Sequence, residues 1–327
     1  MLVDNHNRTI NYLRLAVTDR CNLRCNYCMP SEGINFEKND KLLTISELTT
    51  LSAIMVGQGI DKIRITGGEP FVRKDLMVLL RSLTKLEGLN DISITTNATL
   101  IGPFINELKD LGIKNINVSL DAIDRETFER ITRRDLYDTV HNNLIRLITE
   151  GFNVRINFIA LENQNTQDII PILKLMKHYP VSVRFLEEMP FNGGSKSFDG
   201  LTWSYKKILE HIRTGFPDFE KLPSPPTSTS INYKIKGHIS TFGLIPSFTR
   251  TFCGSCNRLR ITATGDVITC LYGKPVTNFR DLIRNPDSNE SIQSALIRVL
   301  NKRAKTGFEA QKQHSSVFQS SMTSIGG

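Results

Sequence analysis

The chain has 327 residues, which at about 150 residues per domain predicts two domains or one large one. Hydrophobic residues make up 39% and charged residues 23%, which excludes a disordered chain, and the absence of ~18 consecutive apolar residues or of a signal-peptide core predicts a soluble, cytoplasmic protein. The net charge of +8 favours anionic partners such as nucleotides, nucleic acid or acidic membrane surfaces.

The first part of the chain alternates strand patterns with helix patterns. Six β-rich runs predict strands at Tyr12–Val17, Lys62–Thr66, Asp91–Thr95, Asn115–Leu120, Asn153–Ala160 and Val181–Leu186. Apolar periodicity predicts helices at Ile45–Val56, Lys74–Leu83, Ile101–Leu111, Tyr137–Thr149 and Gln167–Lys177. This α/β pattern is typical of a parallel sheet with helices outside. Six units suit an incomplete (βα)6 TIM-like barrel, whose opening leaves room for a large ligand.

The pattern changes near residue 195. We therefore predict a partial barrel over residues 1–195 and a smaller C-terminal α+β domain over residues 196–327. Its predicted elements are a helix at Tyr205–Ile212, a Pro/Ser/Thr-rich connection at Leu222–Ser230 and, after short strands, a last stable helix near Ser291–Lys302. By composition, the tail from Ser320 onward is a frayed terminus.

The cysteines fall into two groups of three. Cys21, Cys25 and Cys28 form C-x3-C-x2-C, and Cys253, Cys256 and Cys270 form C-x2-C-x13-C. Without an export signal, such thiols serve metals or catalysis rather than disulfides. Three cysteines without a nearby histidine make a poor zinc site, because structural zinc takes four ligands. Three thiolates suit a four-iron cluster with one iron left open, so two groups predict two such clusters.

Polar residues follow most of the predicted strands, at the edge where barrels carry their active sites. The segments are the first cysteine group, Gly67-Gly68-Glu69-Pro70, Thr95-Thr96-Asn97, Ser119 with Asp121, and Glu187-Glu188-Met189. A tight turn before a helix explains the glycine pair when it is considered alone. Beside a three-cysteine loop, the pair could also present bare carbonyl oxygens to a ligand ammonium group.

Cations occupy alternate positions of several predicted strands and therefore share one face. Taken singly, each is explained by a solvent-facing edge or a salt bridge. With helices covering the outer face, however, the shared phase points to a polar cavity. Opposing acids are scarce on that phase, so a polyanion such as a triphosphate would neutralise the guanidinium groups. Nucleic acid fits the charge, but the cation-rich faces lack interleaved aromatic residues. The cations are Arg14, Lys62, Arg64, Arg155, Arg184, Arg258 and Arg260.

The cysteine loop at 21–28 followed by Gly67-Gly68-Glu69-Pro70 resembles the radical S-adenosylmethionine (SAM) superfamily. From about residue 8 to its end, the chain is similar to the GTP 3′,8-cyclases of molybdenum cofactor (molybdopterin) biosynthesis. The motifs that carry this resemblance are Tyr-Leu-Arg-Leu at 12–15, Asn-Val-Ser-Leu-Asp-Ala-Ile-Asp at 117–124, Phe-Cys-Gly-Ser-Cys-Asn-Arg-Leu-Arg at 252–260, Cys270-Leu271 and the final Gly-Gly.

The resemblance implies a lyase that converts GTP to (8S)-3′,8-cyclo-7,8-dihydroguanosine 5′-triphosphate, the first step of that pathway. One [4Fe-4S] cluster would cleave SAM to a 5′-deoxyadenosyl radical, which abstracts hydrogen from ribose C3′, and a second would meet the purine. No side chain is assigned as catalytic acid or base. The implied ligands of the two clusters are Cys21, Cys25, Cys28, Cys253, Cys256 and Cys270. The implied SAM contacts are Tyr27, Gly67, Gly68, Glu69, Ser119 and Met189.

The GTP contacts implied by the resemblance are Arg14, Lys62, Arg64, Thr95, Arg155, Arg184, Arg258 and Arg260. Gly326 and Gly327 would reach toward the active site rather than fray. The chain departs from the family at Arg155, where lysine is usual, and over Lys302–Gly307, which lacks a Lys-Pro pair and a nearby histidine.

The resemblance also implies a homodimer, a reductant such as flavodoxin or ferredoxin, and a downstream cyclic pyranopterin monophosphate synthase, with no nucleic-acid or membrane partner. The nearest alternative is another two-cluster radical SAM enzyme that modifies peptides or haem. A different class, a zinc-bound nucleic-acid-binding module, would contain zinc without sulfide. A third alternative is a paralogue that binds clusters without catalysis.

Overall fold

A parallel sheet forms the centre of the protein. The computed structural model describes residues 1–194, 198, 200–285, 290–313 and 320–326. After a hairpin of β1 (Leu2–Val3) and β2 (Thr9–Ile10), six parallel strands lie side by side in chain order. They are β3 (Tyr12–Ala16), β4 (Lys62–Thr66), β5 (Asp91–Thr96), β6 (Asn115–Ser119), β7 (Asn153–Ala160) and β8 (Ser182–Glu187). The six predicted strands and the α/β fold class are thereby confirmed, with ends that shift by at most one residue.

Helices connect these strands. They are α1 (Ile45–Gly57), α2 (Leu76–Leu83), α3 (Ile105–Asp110), α4 (Arg125–Thr132), α5 (Tyr137–Thr149) and α6 (Ile169–Leu175). Helix α1 begins at a capping box, in which Thr44 and Glu47 each accept the other's backbone N–H. Helix α4 was not predicted, because its apolar positions are few; it starts at the Asp124 side-chain cap.

The C-terminal part of the chain extends the same sheet at both edges. Its strands are β9 (Phe219–Lys221), β10 (Ile231–Ile235), β11 (Thr241–Ile245), β12 (Arg258–Ile261), β13 (Asp266–Ile268) and β14 (Thr277–Asn278). Strand β12 pairs in parallel with β3, and β11 pairs in parallel with β8. The described residues thus form an open sheet of twelve strands, ordered 14-13-12-3-4-5-6-7-8-11-10-9. A division into domains after residue 195 stays a prediction.

The two faces of the central strands differ in polarity. Ile63, Ile65 and Phe158 belong to the outward phase and are fully buried under the helices. The intervening residues, such as Arg64, are half-buried and line an internal cavity instead. The apolar side of each strand therefore carries the core, and the polar side carries the site.

Two predictions about the C-terminal part are wrong. The helix at 291–302 is present as α9 (Ile292–Leu300), but it is followed by α10 (Gly307–Lys312) and α11 (Met322–Ile325), so it is not the last stable element. The tail is not frayed over residues 320–326, because Ser321 caps α11 and is buried together with Thr323. The remaining helices are α7 (Tyr205–Gly215), which extends the predicted one, and α8 (Phe279–Arg284).

A buried carboxylate at the end of β8 joins the two parts of the chain. Glu187 accepts hydrogen bonds from the backbone N–H of Tyr205 at 2.9 Å, of Phe248 at 2.9 Å and of Thr249 at 2.8 Å. The start of α7 and the segment before the second cysteine group are thereby fixed to the barrel. Among the described helices, none has the length and apolar character required to span a bilayer.

Candidate active site

Both cysteine groups and the predicted cations face one cavity of about 630 Å³ on the polar side of the sheet. The first cysteine group lies in the loop after β3, and the second lies around β12 and β13. The structure brings together these predicted residues at the cavity wall: Arg14, Cys21, Cys25, Tyr27, Cys28, Lys62, Arg64, Gly67, Gly68, Thr95, Ser119, Arg155, Arg184, Met189, Cys253, Cys256, Arg258, Arg260 and Cys270.

Three arginines stand in one row across neighbouring strands. Arg260 of β12 is in register with Arg14 of β3, which is in register with Arg64 of β4. Adjacent strands are about 4.8 Å apart, so the three side chains start close together. Buried polar atoms without a hydrogen-bond partner include Arg14 Nε, Arg184 Nε and Thr95 Oγ1 in the described part of the chain. Such unpaired donors in a cavity wall suit an anionic ligand.

The electrostatics of these arginines point the same way. Burial lowers the pKa of Arg14 well below its ordinary value, and the nearby Arg260 and Arg64 lower it further. Burial, followed by Arg155 and Arg64, lowers the pKa of Arg184 to about 9. Burial and Arg258 lower the pKa of Arg260 to about 10. The charged forms repel one another, and a bound anion would relieve that repulsion.

Lys62 differs from the arginines because it has a carboxylate partner. It forms an ion pair with Asp91, the neighbouring residue on β5. Asn115 Nδ2 donates to Asp91 at 2.8 Å, and Arg155 Nη1 donates to Asn115 Oδ1 at 3.2 Å. The scarcity of opposing acids therefore holds for the arginine row but not for Lys62, whose predicted contact with GTP stays a prediction.

Burial dominates the environment of the first cysteine group. It raises the pKa of Cys21 to about 12, with Glu69 as the next contribution, and raises that of Cys25 well above the ordinary value. The sulfur contacts are neutral: Asn97 Nδ2 lies 3.8 Å from Cys21 Sγ, and Ser321 Oγ lies 3.5 Å from Cys28 Sγ.

The second cysteine group has cationic neighbours. Arg303 Nη2 lies 3.1 Å and Arg258 Nη1 3.7 Å from Cys256 Sγ. Burial alone would raise the pKa of Cys256, but Arg303 and Arg258 bring it below its ordinary value. The backbone N–H of Gly307 donates to Cys253 Sγ at 3.3 Å.

The donor sets of both groups fit iron–sulfur clusters, because each group offers three thiols that can bind three different irons. In the described ranges, no three His, Cys, Asp or Glu side chains are grouped closely enough to hold one metal ion. Each thiolate of a four-iron cluster binds a different iron, so its sulfurs stand further apart than those around zinc. The three cysteines of each group face the shared cavity, where a cluster has room.

The glycine pair holds the cysteine loop in place. Gly68 N–H donates to the Thr18 carbonyl at 2.9 Å, and Glu69 N–H donates to the Arg20 carbonyl at 2.8 Å. A Cβ at Gly67 would lie 2.3 Å from the Thr18 oxygen, and one at Gly68 would lie 2.2 Å from the Arg20 oxygen. The absence of side chains here is therefore required by the loop that leads to Cys21, whatever ligand the carbonyls meet.

Glu69 does not line the cavity, unlike the other predicted SAM contacts. Its fully buried carboxylate accepts from Asn97 N–H at 2.7 Å, Thr96 Oγ1 at 2.8 Å and Phe71 N–H at 3.1 Å. Burial nevertheless raises its pKa to about 7. The side chain supports the loop after β5, and its contact with SAM stays a prediction.

Tyr27, a predicted SAM contact, is positioned by Asp121. The Tyr27 hydroxyl donates to Asp121 Oδ2 at 2.7 Å, while Ile159 N–H donates to Oδ1 at 2.7 Å. Burial raises the pKa of Asp121 to about 6. The sequence placed Asp121 after a strand but gave it no role, because its partner lies 94 residues away in the chain.

Several cavity residues escaped the sequence analysis. The stretch taken for a connection contributes Pro225, Thr227, Ser228, Thr229 and Ser230 to the wall. Arg250 lies 3.6 Å from the centre of the Tyr272 ring and 4.2 Å from that of Phe308. Within the described ranges, its Nη1 is buried without a partner. The hydroxyl-rich composition of 227–230 could have indicated a polar cavity wall, whereas no sequence pattern marks Arg250.

The tail enters the cavity region next to the arginine row. Arg260 Nη1 donates to the carbonyl of Gly326 at 2.8 Å, and a Cβ on Gly326 would meet Ala16 at 3.2 Å. Gly327 lies outside the described residues. The tail thus contacts a predicted GTP-binding residue, Arg260, and a predicted cluster ligand, Cys28, which Ser321 contacts.

Two family models match the chain. Residues 15–176 match the Radical SAM superfamily, and residues 181–309 match Molybdenum Cofactor Synthesis C. A protein of Arabidopsis thaliana named "GTP 3',8-cyclase, mitochondrial" is 36% identical over 100% of this chain and 84% of its own length. The Drosophila melanogaster "Molybdenum cofactor biosynthesis protein 1" is 39% identical over 96% of this chain and 54% of its own length.

The chain spans about half the length of the curated relatives named "Molybdenum cofactor biosynthesis protein 1". Among solved structures, the crystal structure of SuiB from Streptococcus suis is similar with a TM-score of 0.62 at 16% identity, over 89% of this chain and 67% of that one. At that identity the likeness supports the fold alone.

Proposed function

Because the chain belongs to the GTP 3′,8-cyclase family of the radical SAM superfamily, we propose that it cyclises GTP to (8S)-3′,8-cyclo-7,8-dihydroguanosine 5′-triphosphate in molybdenum cofactor synthesis. The observation that carries the proposal is the row of Arg260, Arg14 and Arg64 in the cavity that also holds both cysteine groups. A polyanionic nucleotide and two clusters can therefore meet in one place.

The arginine row supplies the triphosphate site. Guanidinium groups donate bidentately to phosphate oxygens, and the unpaired Nε of Arg14 is one of the donors available. Arg184 and Arg155 lie on β8 and β7 and line the same cavity as the row. The positive potential of the wall favours the most highly charged form of a nucleotide.

The first cysteine group belongs to the Radical SAM match and would hold a [4Fe-4S] cluster; we propose that the second group holds another through three cysteines. When bound, SAM and the first cluster would supply the radical chemistry, begun by reductive cleavage of SAM, that removes a hydrogen atom from ribose C3′. Tyr27, Gly68, Ser119 and Met189 line the cavity that the first group also faces and would orient SAM. The arginine row would hold the triphosphate of GTP, and the wall around the second cysteine group would hold the base. The C3′–H bond of the ribose would then face SAM, and water would be excluded.

The surroundings of the reaction are also part of the proposal. A one-electron reductant such as flavodoxin or ferredoxin would serve the first cluster, and a cyclic pyranopterin monophosphate synthase would consume the product. We propose a cytoplasmic homodimer.

The test uses the full chain reconstituted anaerobically with iron and sulfide. With dithionite and SAM present, 5′-deoxyadenosine is quantified with GTP, with ATP and without nucleotide. We expect GTP to raise 5′-deoxyadenosine selectively and to yield a guanine product of unchanged mass. Cys21→Ser should abolish SAM cleavage, whereas Cys253→Ser should abolish GTP cyclisation. SAM cleavage that GTP does not change would refute the substrate assignment, and zinc without sulfide would refute the clusters.

A further inference from the structure

A buried network joins the N-terminal turn to the second cysteine group. Asp4 accepts from Arg8 Nε at 2.7 Å and from Arg303 Nη1 at 3.3 Å. The three residues are 4%, 8% and 3% exposed, respectively. Arg8 also donates to the backbone carbonyls of Cys253 at 3.0 Å and of Lys305 at 2.9 Å. One carboxylate thus anchors two guanidinium groups against the turn that carries Cys253.

Arg303 is the member of this network that reaches a sulfur. Its Nη2 lies 3.1 Å from Cys256 Sγ and donates to the Arg258 carbonyl at 3.0 Å. Because Nη1 donates to Asp4, both terminal nitrogens of the planar guanidinium group have fixed partners. The side chain can therefore hold the N–H···S contact without help from a ligand.

The two cysteine groups differ in this respect. In the structure's described part, the side chains that contact sulfur in the first group are the neutral Asn97, Ser321 and Tyr27. The cation nearest this group, Arg24, donates to the backbone carbonyl of Cys21 and not to a sulfur. The second group instead has the cationic Arg303 and, at 3.7 Å, Arg258. Hydrogen bonds to sulfur and nearby positive charge stabilise the reduced, more negative form of an iron–sulfur cluster.

We propose that Arg303 is a tuning residue that raises the reduction potential of the cluster held by Cys253, Cys256 and Cys270. The inference rests on the second cluster of the proposed function. The step concerned is the uptake of one electron from an external reductant, with no bond made or broken in the protein. Asp4 is the positioning residue that keeps Arg303 against the sulfur.

The test is a potentiometric EPR titration of the second cluster alone, in the full chain with Cys21, Cys25 and Cys28 replaced by alanine. Dithionite is the reductant, and neither SAM nor GTP is added. Relative to this parent, Arg303→Met should shift the midpoint potential to a more negative value. Arg303→Lys keeps the charge without the fixed fork, so its shift should be smaller. Asp4→Asn removes a negative charge, which alone would raise the potential; a more negative potential in this variant would therefore show that Asp4 acts by holding Arg303 against the sulfur.

Arg146→Lys is the matched control, because Arg146 lies on α5 and donates to the Gly102 carbonyl at 3.0 Å and to Asn106 Oδ1 at 2.9 Å rather than to a sulfur. Its potential should equal that of the parent. Identical potentials for Arg303→Met and the parent, at equal iron content, would overturn the proposal. Loss of the cluster from both Arg303 variants would also overturn it and assign Arg303 to cluster assembly. A parent that itself binds no cluster would instead refute the second cluster of the proposed function.

Discussion

Arginines placed side by side without carboxylates weaken the protein when no anion is bound. Arg14 is the central residue of the row and has an unpaired buried Nε. Its charge is repelled by Arg260 and Arg64 on either side. Its position therefore favours the proposed anion-binding role over a role in stability, a common conflict at functional sites.

Arg14→Met should therefore separate binding from stability. We expect KM for GTP to rise at least about tenfold, which corresponds to a lost charged hydrogen bond, while Tm stays equal or increases. The matched control is Arg73→Met, since Arg73 Nη1 donates to the carbonyls of Val17 at 2.7 Å and Leu43 at 2.9 Å. Calorimetry should show a lower Tm for this control. A lower Tm with unchanged KM in Arg14→Met would contradict the ligand role.

Gly68→Ala should damage the first cysteine group through the backbone. The new Cβ would sit 2.2 Å from the Arg20 carbonyl oxygen, so the loop leading to Cys21 must move. We expect a loss of about 2 kcal/mol or more in the free energy of unfolding, and reduced iron binding. Gly57→Ala is the control, because its Cβ would meet nothing within 4 Å in α1. Equal iron content and equal denaturation midpoints in the two variants would contradict the role given to Gly68.

The buried Glu69 predicts a pH dependence of stability. Burial raises its pKa from 4.5 to about 7, so the folded state holds a proton that the unfolded state has released. This contribution is fully present below pH 4.5 and is lost as pH rises through about 7. It amounts to about 3 kcal/mol. Urea denaturation of the cluster-free protein should therefore show stability falling across this window, and a smaller fall in Glu69→Gln. Equal slopes in both proteins would assign the dependence to other groups.

At the scale of elements, the strands were predictable and several contacts were not. Lys62–Thr66 and Asn153–Ala160 match their predicted bounds because alternation of apolar and charged residues marks them locally. The same alternation put the cations on the cavity face. The pairing of Lys62 with Asp91, and the approach of Arg303 to Cys256, depend on strand order and on loops far apart in the chain. No local pattern encodes such contacts.

The predicted connection at Leu222–Ser230 does join β9 to β10, but its place in the cavity wall could not be predicted from composition. It is rich in Pro, Ser and Thr, as connections are, yet it lines the cavity. Arg258 Nη2 donates to the Thr227 carbonyl at 2.6 Å, so the segment shares a donor with the predicted triphosphate site. An incoming phosphate would compete for that donor. It would also form its own contacts with the hydroxyl groups of the segment.

Nucleotide binding should therefore change the exchange of this segment. In hydrogen–deuterium exchange of the reconstituted protein, the amides of peptides covering 222–232 should exchange more slowly with GTP, because the loop gains contacts. Peptides from α7 should not change, since that helix lies outside the cavity lining. Unchanged exchange at 222–232 under saturating GTP would show that the segment lines the cavity without contacting the nucleotide.

At the scale of the whole molecule, the sheet joins regions that the sequence separates. Strand β12 covers the free edge of β3, and β11 covers that of β8. Glu187 adds hydrogen bonds to Tyr205, Phe248 and Thr249 across the predicted boundary. The two family matches, at 15–176 and 181–309, therefore correspond to sequence units whose strands share one sheet.

This continuity predicts one cooperative unit. Residues 1–195 alone would expose β3 and β8 as open edges, which promote aggregation, and the carboxylate of Glu187 would lose its donors from Tyr205, Phe248 and Thr249. We expect the full chain to unfold in a single calorimetric transition and the 1–195 fragment to show no such transition. A fragment that melts sharply near the Tm of the full chain would show the opposite, that the barrel is complete without β11 and β12. In that case the arginine row would be assembled by docking two stable domains, and Arg260 could leave Arg14 without unfolding either part.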